Sequence, residues 1–304
     1  MLRSITKKLE IEMLYGKVGY GIVAAVGDLV NGVATTAMAD VSGLATFQVP
    51  DKEWASGIWA GSENLPVEFY TVGNVLSGSA NITKVDLTAK SITLDVATAT
   101  LPVATQTGGV IIYPKGAFGK SFKGIHSILT TSGSLFGIDN TQYSLFKGNV
   151  YDAGNAALSF TKLTLAAARA VEKGLEGSLW VLVNPRTWAN LMNDQAALRK
   201  YDSSYSSDKV ELGSKSIKFY SQNGELEIEP SIYVKEGYAY LLSASDWSRV
   251  GSTDVTFKRP GQGDQFFRDM EMYSGYQLRC FTDQSLFCSA VGRSVLISNI
   301  KNAN

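Results

Sequence analysis

Apolar positions at Leu2, Ile5, Leu9 and Met13 recur at steps of three and four, the period of a helix with one buried face. Gly16 follows, and a glycine just past the last periodic residue predicts a left-handed helix stop there. From residue 17 to 113 the period changes to two. Short apolar and Thr-rich runs such as Gly43-Leu44-Ala45-Thr46-Phe47-Gln48-Val49 and Ser91-Ile92-Thr93-Leu94-Asp95-Val96 read as half-buried strands. Pro50, Pro66, Gly73 and Gly78 mark the turns between them. The segment predicts a small β-domain placed after the opening helix, folding as its own unit.

Residues 116–155 are rich in Gly and Ser and predict extended chain or loop. An Ala-rich helix over 163–173 then ends at Gly174. The run Ser178-Leu179-Trp180-Val181-Leu182-Val183 is almost continuously apolar, as befits a central strand covered on both faces. The next helix has a well-marked start. The Asn184 side chain can accept from the unpaired amides of a first turn, and Pro185 at the first helical position loses nothing by lacking an N–H. Trp188, Leu191 and Met192 form its predicted buried face. Asn223-Gly224 predicts a tight hairpin, since both residues tolerate positive φ, with Ile217 and Phe219 on one arm and Leu226 and Ile228 on the other. Further strands are expected over 238–242, 272–281 and 294–300.

Composition narrows the class. Charged residues make up 18% of the 304 positions, below the usual ~25%, so part of the surface is suited to protein rather than water. Lys plus Arg and Asp plus Glu both number 28, giving zero net charge. That balance argues against an electrostatically driven nucleic-acid binder and fits dense packing against like copies. Two cysteines, Cys280 and Cys288, read as small buried apolar groups rather than a disulfide framework. Charges at Arg3, Lys7, Lys8, Glu10 and Glu12 break any signal-peptide core, and the uncharged stretch 96–114 carries too much Thr, Gln and Pro for a membrane span. The expectation is a soluble intracellular protein without a membrane partner.

Candidate chemistry is sparse. His126 is the single histidine, so triads and His-based zinc sites have at most one member. Gly119-Lys120-Ser121 is like the end of a phosphate loop, but the earlier glycine of that motif is replaced by Pro114. Asn81-Ile82-Thr83 fits a glycosylation triplet with nothing else to suggest secretion. Glu225, Glu227 and Glu229 share one strand face and read as a solvated edge, with a cation or a neighbour's basic patch as the sharper alternative. No catalytic, cofactor or metal residue is assigned.

The stretch Trp180-Val181-Leu182-Val183-Asn184-Pro185-Arg186-Thr187-Trp188 resembles the Hong Kong 97-type coat proteins of tailed bacteriophages, with a buried strand, an Asn-Pro-Arg turn and an aromatic-bearing helix. Other segments follow in the family's order: Glu12-Met13-Leu14-Tyr15-Gly16, Gly124-Ile125-His126-Ser127-Ile128, the Asn223-Gly224 hairpin, Ala239-Tyr240-Leu241-Leu242, Asp246-Trp247, Asp264-Gln265-Phe266-Phe267, Leu278-Arg279-Cys280 and Leu286-Phe287-Cys288. The resemblance covers about 116–300 plus the first helix. It implies an α+β Hong Kong 97-like capsid fold: the end of a spine helix in the peripheral domain (1–16), an inserted β-domain (17–113), a peripheral loop segment (114–155), an axial domain (156–249) and peripheral strands (250–304). The family's arm and extended loop precede the spine helix. Here they are removed by maturation, lie in sequence not given, or are absent.

The function so implied is a non-enzymatic major capsid protein, assembled in the bacterial host cytoplasm and located in the virion. Its partners would be copies of itself in pentamers and hexamers, with scaffolding, portal and decoration proteins as further candidates, and weak nonspecific contact with packaged DNA. No cofactor is implied. Asn184, Pro185, Arg186, Trp188, Asn223 and Gly224 are the structural or intersubunit residues to watch. Arg186 stands beside a helix start, where the dipole disfavours a cation unless a carboxylate is near. The rivals are a β-rich tail or adhesin-type binding protein and, third, an enzyme built on a carboxylate pair such as Asp139 and Asp283.

Overall fold

The computed structural model describes residues 2–36, 38–193, 217–221, 224–258, 266–270 and 272–302. It is a mixed α and β structure organised around two sheets. The opening helix runs Leu2–Tyr15 and buries Ile11, Leu14 and Tyr15. Its stop differs from expectation: Lys17 takes the left-handed conformation (φ 69°), and Gly16 does not. Gly16 is required for another reason. A Cβ there would lie 2.3 Å from the Phe122 carbonyl oxygen and 2.6 Å from that of Glu12. The Gly124 amide meets the Gly16 carbonyl at 3.1 Å, so two backbones touch where side chains are absent.

The first sheet has seven antiparallel strands in the order Gly21–Ile22, Ile111–Pro114, Pro66–Tyr70, Leu76–Asp86, Ser91–Leu94, Leu44–Gln48 and Ala39–Val41. Two expected turn residues fall inside it. Pro66 opens a strand, and Gly78 lies within the long Leu76–Asp86 strand, where an added Cβ would come within 3.3 Å of the Pro102 ring. Residues 116–155 are less irregular than their composition suggests, holding the helix Ile125–Thr130 and the strand Asn149–Ala156.

The second sheet has six strands, in the order Asn149–Ala156, Val295–Ile300, Ala239–Leu242, Leu179–Val183, Gly224–Pro230 and Ile217–Ser221. Leu179–Val183 pairs on both sides, parallel to Gly224–Pro230 and antiparallel to Ala239–Leu242. Alternation then sorts its side chains. Val181, Val183, Ala239, Leu241, Val295 and Ile297 pack with the helix Phe160–Val171. Leu182, Tyr240, Leu242 and Leu296 face the other way, into a core that also holds the opening helix and the seven-stranded sheet's Val67, Phe69, Ile82 and Ile92. This double coverage is why the run reads as continuously apolar.

From this body rises a two-stranded ribbon, Trp247–Thr256 paired with Phe281–Cys288. Beyond its far end lies a smaller hairpin, Phe267–Asp269 with Tyr276–Leu278. The expected strand over 272–281 is thus split between two pairings.

Candidate functional site

Two features stand out once the fold is drawn: a buried ionic joint inside the body, and the exposed ribbon. The joint is built on the segment 231–238, which leads into the Ala239–Leu242 strand. Asn184, buried, holds it from the helix Pro185–Met192. Its Oδ1 accepts from the Arg186 amide at 2.9 Å, and its Nδ2 donates to the Val234 carbonyl at 2.7 Å. One side chain therefore caps the helix and pins the segment. Pro185 occupies the first helical position and is exposed. Arg186 places Nε 3.6 Å from Glu236 Oε1. Trp188 is half-buried against the second core, its indole N–H buried without a hydrogen-bond partner among the described residues.

Glu236 continues the chain of charge. Its Oε2 lies 2.9 Å from Nζ of Lys90, which is wholly buried and also reaches Asp51 Oδ1 at 2.7 Å. Burial pushes the Glu236 carboxyl up, with Lys90 and Arg186 opposing. Burial raises Asp51 too, but Lys90 and the amides of Asn31 and Gly32 outweigh it and hold that carboxyl below its usual range. The neighbouring residue completes a crosswise arrangement: Lys235 Nζ lies 2.8 Å from Glu53 Oε2. Thus adjacent residues of one segment, Lys235 and Glu236, each meet an opposite charge, Glu53 in the short turn Asp51–Glu53 and Lys90 just before the Ser91–Leu94 strand.

An aromatic cage closes round the second pair. Tyr238 donates to Glu53 Oε1 at 2.8 Å, the Lys235 amide donates to the Tyr15 hydroxyl at 2.8 Å, and Lys235 Nζ sits 4.5 Å from the Tyr15 ring centre. His126 Nδ1 is 3.0 Å from the Tyr240 hydroxyl. Burial, seconded by Lys235, lowers His126 to about 4, so it sits neutral in the cage. Burial pushes Glu53 up, yet Lys235 and Tyr238 outweigh it and keep it ionised. A cleft of about 230 Å³ opens beside this joint, with Asp51 and Glu236 in its lining already engaged by Lys90.

Other sequence candidates fall apart spatially or find ordinary partners. Gly224 opens its strand, and a Cβ on it would meet the Gly177 carbonyl oxygen at 2.7 Å. Asn223 lies outside the described residues. The strand before Gly119-Lys120-Ser121 is antiparallel to both neighbours, unlike the strand of a phosphate loop. Glu225 pairs with Lys218 at 3.5 Å. Asp139 binds Thr141 in one hairpin, and Asp283 binds Ser252 in the ribbon. Cys288 is buried, which pushes its thiol up to about 12, whereas Cys280 is half-buried rather than buried. Among the described residues there is no group of three or more metal-ligating side chains, and no helix is long and apolar enough to cross a membrane.

The ribbon was not legible as a unit in the sequence. Leu286 and Cys288 root it in the core, but most of its length is open to solvent. Exposed apolar residues on the ribbon and on the hairpin region beyond it include Val250, Phe266, Phe267, Met270, Met272, Tyr273, Tyr276, Leu278 and Phe287. The available signal was that crowding of aromatic and Met residues in an otherwise polar stretch.

No family model matches the chain, and no curated protein matches it. Solved structures do. The capsid asymmetric unit of cyanophage A-1(L) is 12% identical, with 61% of this chain and 62% of that chain covered and a TM-score of 0.40. The holo-SrpI encapsulin complex of Synechococcus elongatus PCC 7942 is 13% identical, with 50% and 53% covered and a TM-score of 0.34. A virus-like particle from Pyrococcus furiosus is 16% identical, with 57% and 58% covered and a TM-score of 0.29. The matched parts amount to 62%, 53% and 58% of those chains, less than two thirds of each.

Proposed function

We propose that this chain is the major capsid protein of a tailed bacteriophage, a structural subunit that assembles with copies of itself into the pentamers and hexamers of an icosahedral head around phage DNA. The observation that carries the reading is the ribbon. A two-stranded ribbon alone is marginal in water, and this one adds a cluster of exposed rings that would cost free energy in a solitary protein. A subunit that spends its working life against like copies resolves both problems. Zero net charge adds no repulsion at such contacts, and the Asn-Pro-Arg resemblance supports the same conclusion.

Within this reading 156–249 is the axial domain, 1–16, 114–155 and 250–304 form the peripheral domain, and 17–113 is an inserted β-domain. Arg186 braces the axial domain through Glu236. DNA contact at the inner wall is weak and nonspecific. Scaffolding, portal and decoration proteins are further partners, and assembly takes place in the host cytoplasm. Sedimentation velocity and negative-stain microscopy of the purified chain test the proposal. Rings, capsomers or curved shells are expected; a monomer at every concentration overturns it.

A further inference from the structure

Val250 apart, the exposed apolar residues of the ribbon and its hairpin fall into two groups, one at each end. Beyond the Thr256–Phe281 pair lies the tip, with Phe266 47%, Phe267 64%, Met272 88%, Tyr273 76% and Tyr276 75% exposed. At the other end, Phe287 beside the root meets Phe136, their ring centres 5.0 Å apart. Ile138 follows two residues later in the same hairpin, and Phe136, Ile138 and Phe287 are each about 40% exposed.

Phe136 is in an unusual place. Leu135 pairs with Ile138, so Phe136 and Gly137 are the two central residues of a hairpin turn, at φ 52° and 84°. Such a turn favours Asn-Gly, and a bulky side chain in the left-handed region is strained. The chain accepts that strain and leaves the ring partly in water. A conformational cost that leaves about 40% of the ring in water points to a use for the ring beyond its contact with Phe287.

Resting on the shell-subunit reading, we infer that the ribbon tip of one copy docks on the Phe136–Phe287 base patch of a second copy, head to tail. Size and reach point to a second copy as the occupant. Fully buried aromatic side chains contribute about 150–250 Å² each, so the exposed fractions of the four tip rings and Met272 offer roughly 500–800 Å², the larger part of the ~800 Å² each partner gives to a standard interface. A ten-residue strand spans roughly 30 Å, so tip and base of one chain stand apart and cannot cover each other. A contact between unlike patches is heterologous and propagates into rings or lattices, whereas tip against tip would stop at a dimer.

Three full-length variants test this by sedimentation velocity, with circular dichroism and thermal melting as the check on folding. Phe136→Asn suits the turn better, so it is expected to melt at or above the wild-type temperature while assembly falls at least tenfold. Met272→Gln combined with Tyr273→Ser is expected to keep the wild-type melt and lose assembly equally. Mixing the two preparations leaves one sound tip and one sound base, and is expected to give a one-to-one dimer and nothing larger. Wild-type assembly by Phe136→Asn, dimers of it alone, a lowered melt for it, or no dimer in the mixture each overturns the inference while the shell reading stands. A wild-type chain that never assembles overturns both.

Discussion

Replacing Glu53 by Ala strikes the joint where it is driest. Lys235 has 2% of its side chain exposed and Glu53 has 7%, so neither ion is screened by solvent. Without Glu53, the Lys235 ammonium keeps only the Gly19 carbonyl at 3.5 Å and the face of Tyr15, and the Tyr238 hydroxyl loses its acceptor. Removing one member of a buried pair costs about 3–5 kcal/mol, because the remaining charge stays desolvated. In a chain of this size that corresponds to a fall in melting temperature of roughly 10 °C. Denaturant unfolding at pH 7 measures it, with Lys235→Met as the second arm of a double-mutant cycle. The double variant should recover the part of the loss that comes from the stranded charge, leaving the smaller cost of the vacated space and of the unpaired Tyr238 hydroxyl. A loss below about 1 kcal/mol in Glu53→Ala, or no recovery in the double variant, would refute the claim that the cost lies in an uncompensated buried ammonium.

Other expectations follow from the same geometry. Asn184→Ala removes a helix cap and strands the Val234 carbonyl, so the free energy of unfolding should fall by about 2–4 kcal/mol, whereas Asn184→Ser keeps a capping acceptor and should lose only the carbonyl contact. The joint also sets an acid sensitivity. His126 is held near 4 in the folded chain, by burial first and then Lys235, and returns to its ordinary value of 6.5 on unfolding. Between those values the unfolded chain binds more protons, so stability falls as pH drops from 6.5 to about 4. Glu53, depressed by Lys235 and Tyr238 against its burial, adds a loss at lower pH, while the raised Glu236 acts in the opposite sense. His126→Gln should flatten the slope of stability against pH in the upper window; an unchanged slope there would count against a neutral buried imidazole.

How much of this could be read from the chain depends on whether the signal is local. The Asn184-Pro185 helix start is local chemistry, and the cap forms as its residue types dictate. The Leu179–Val183 run shows as continuous apolar sequence because both of its faces are covered. The helix Ile125–Thr130 is too short to display a period, and it is placed by the Gly16–Gly124 backbone contact rather than by its own pattern. The joint was invisible for a different reason. Lys90 and Glu236 are 146 positions apart, and Glu53 and Lys235 are 182 apart. A lysine in a polar-looking stretch reads as solvated until the fold brings its partner. The ribbon hid because its strands expose both faces over most of their length, which erases the alternation that marks a half-buried strand.

That last point reverses the usual distribution of polarity. Ions commonly face water and rings face inward, yet here two lysines are sealed in the body while rings and Met272 stand on the ribbon. The two departures answer to different demands. Buried ion pairs fix how the seven-stranded sheet, the 231–238 segment and the opening helix meet, because a misplaced joint leaves a charge unpaired. Exposed rings contribute nothing to that register and gain only when another surface covers them. Substitutions should therefore divide cleanly: Glu53→Ala lowers the melting temperature, whereas Phe136→Asn lowers assembly. The groups share no partner, so the double variant should show the sum of both effects within about 0.5 kcal/mol in stability. Strong coupling between the two, read as a melt of the double variant well outside that sum, would mean that the base patch belongs to the folded core after all.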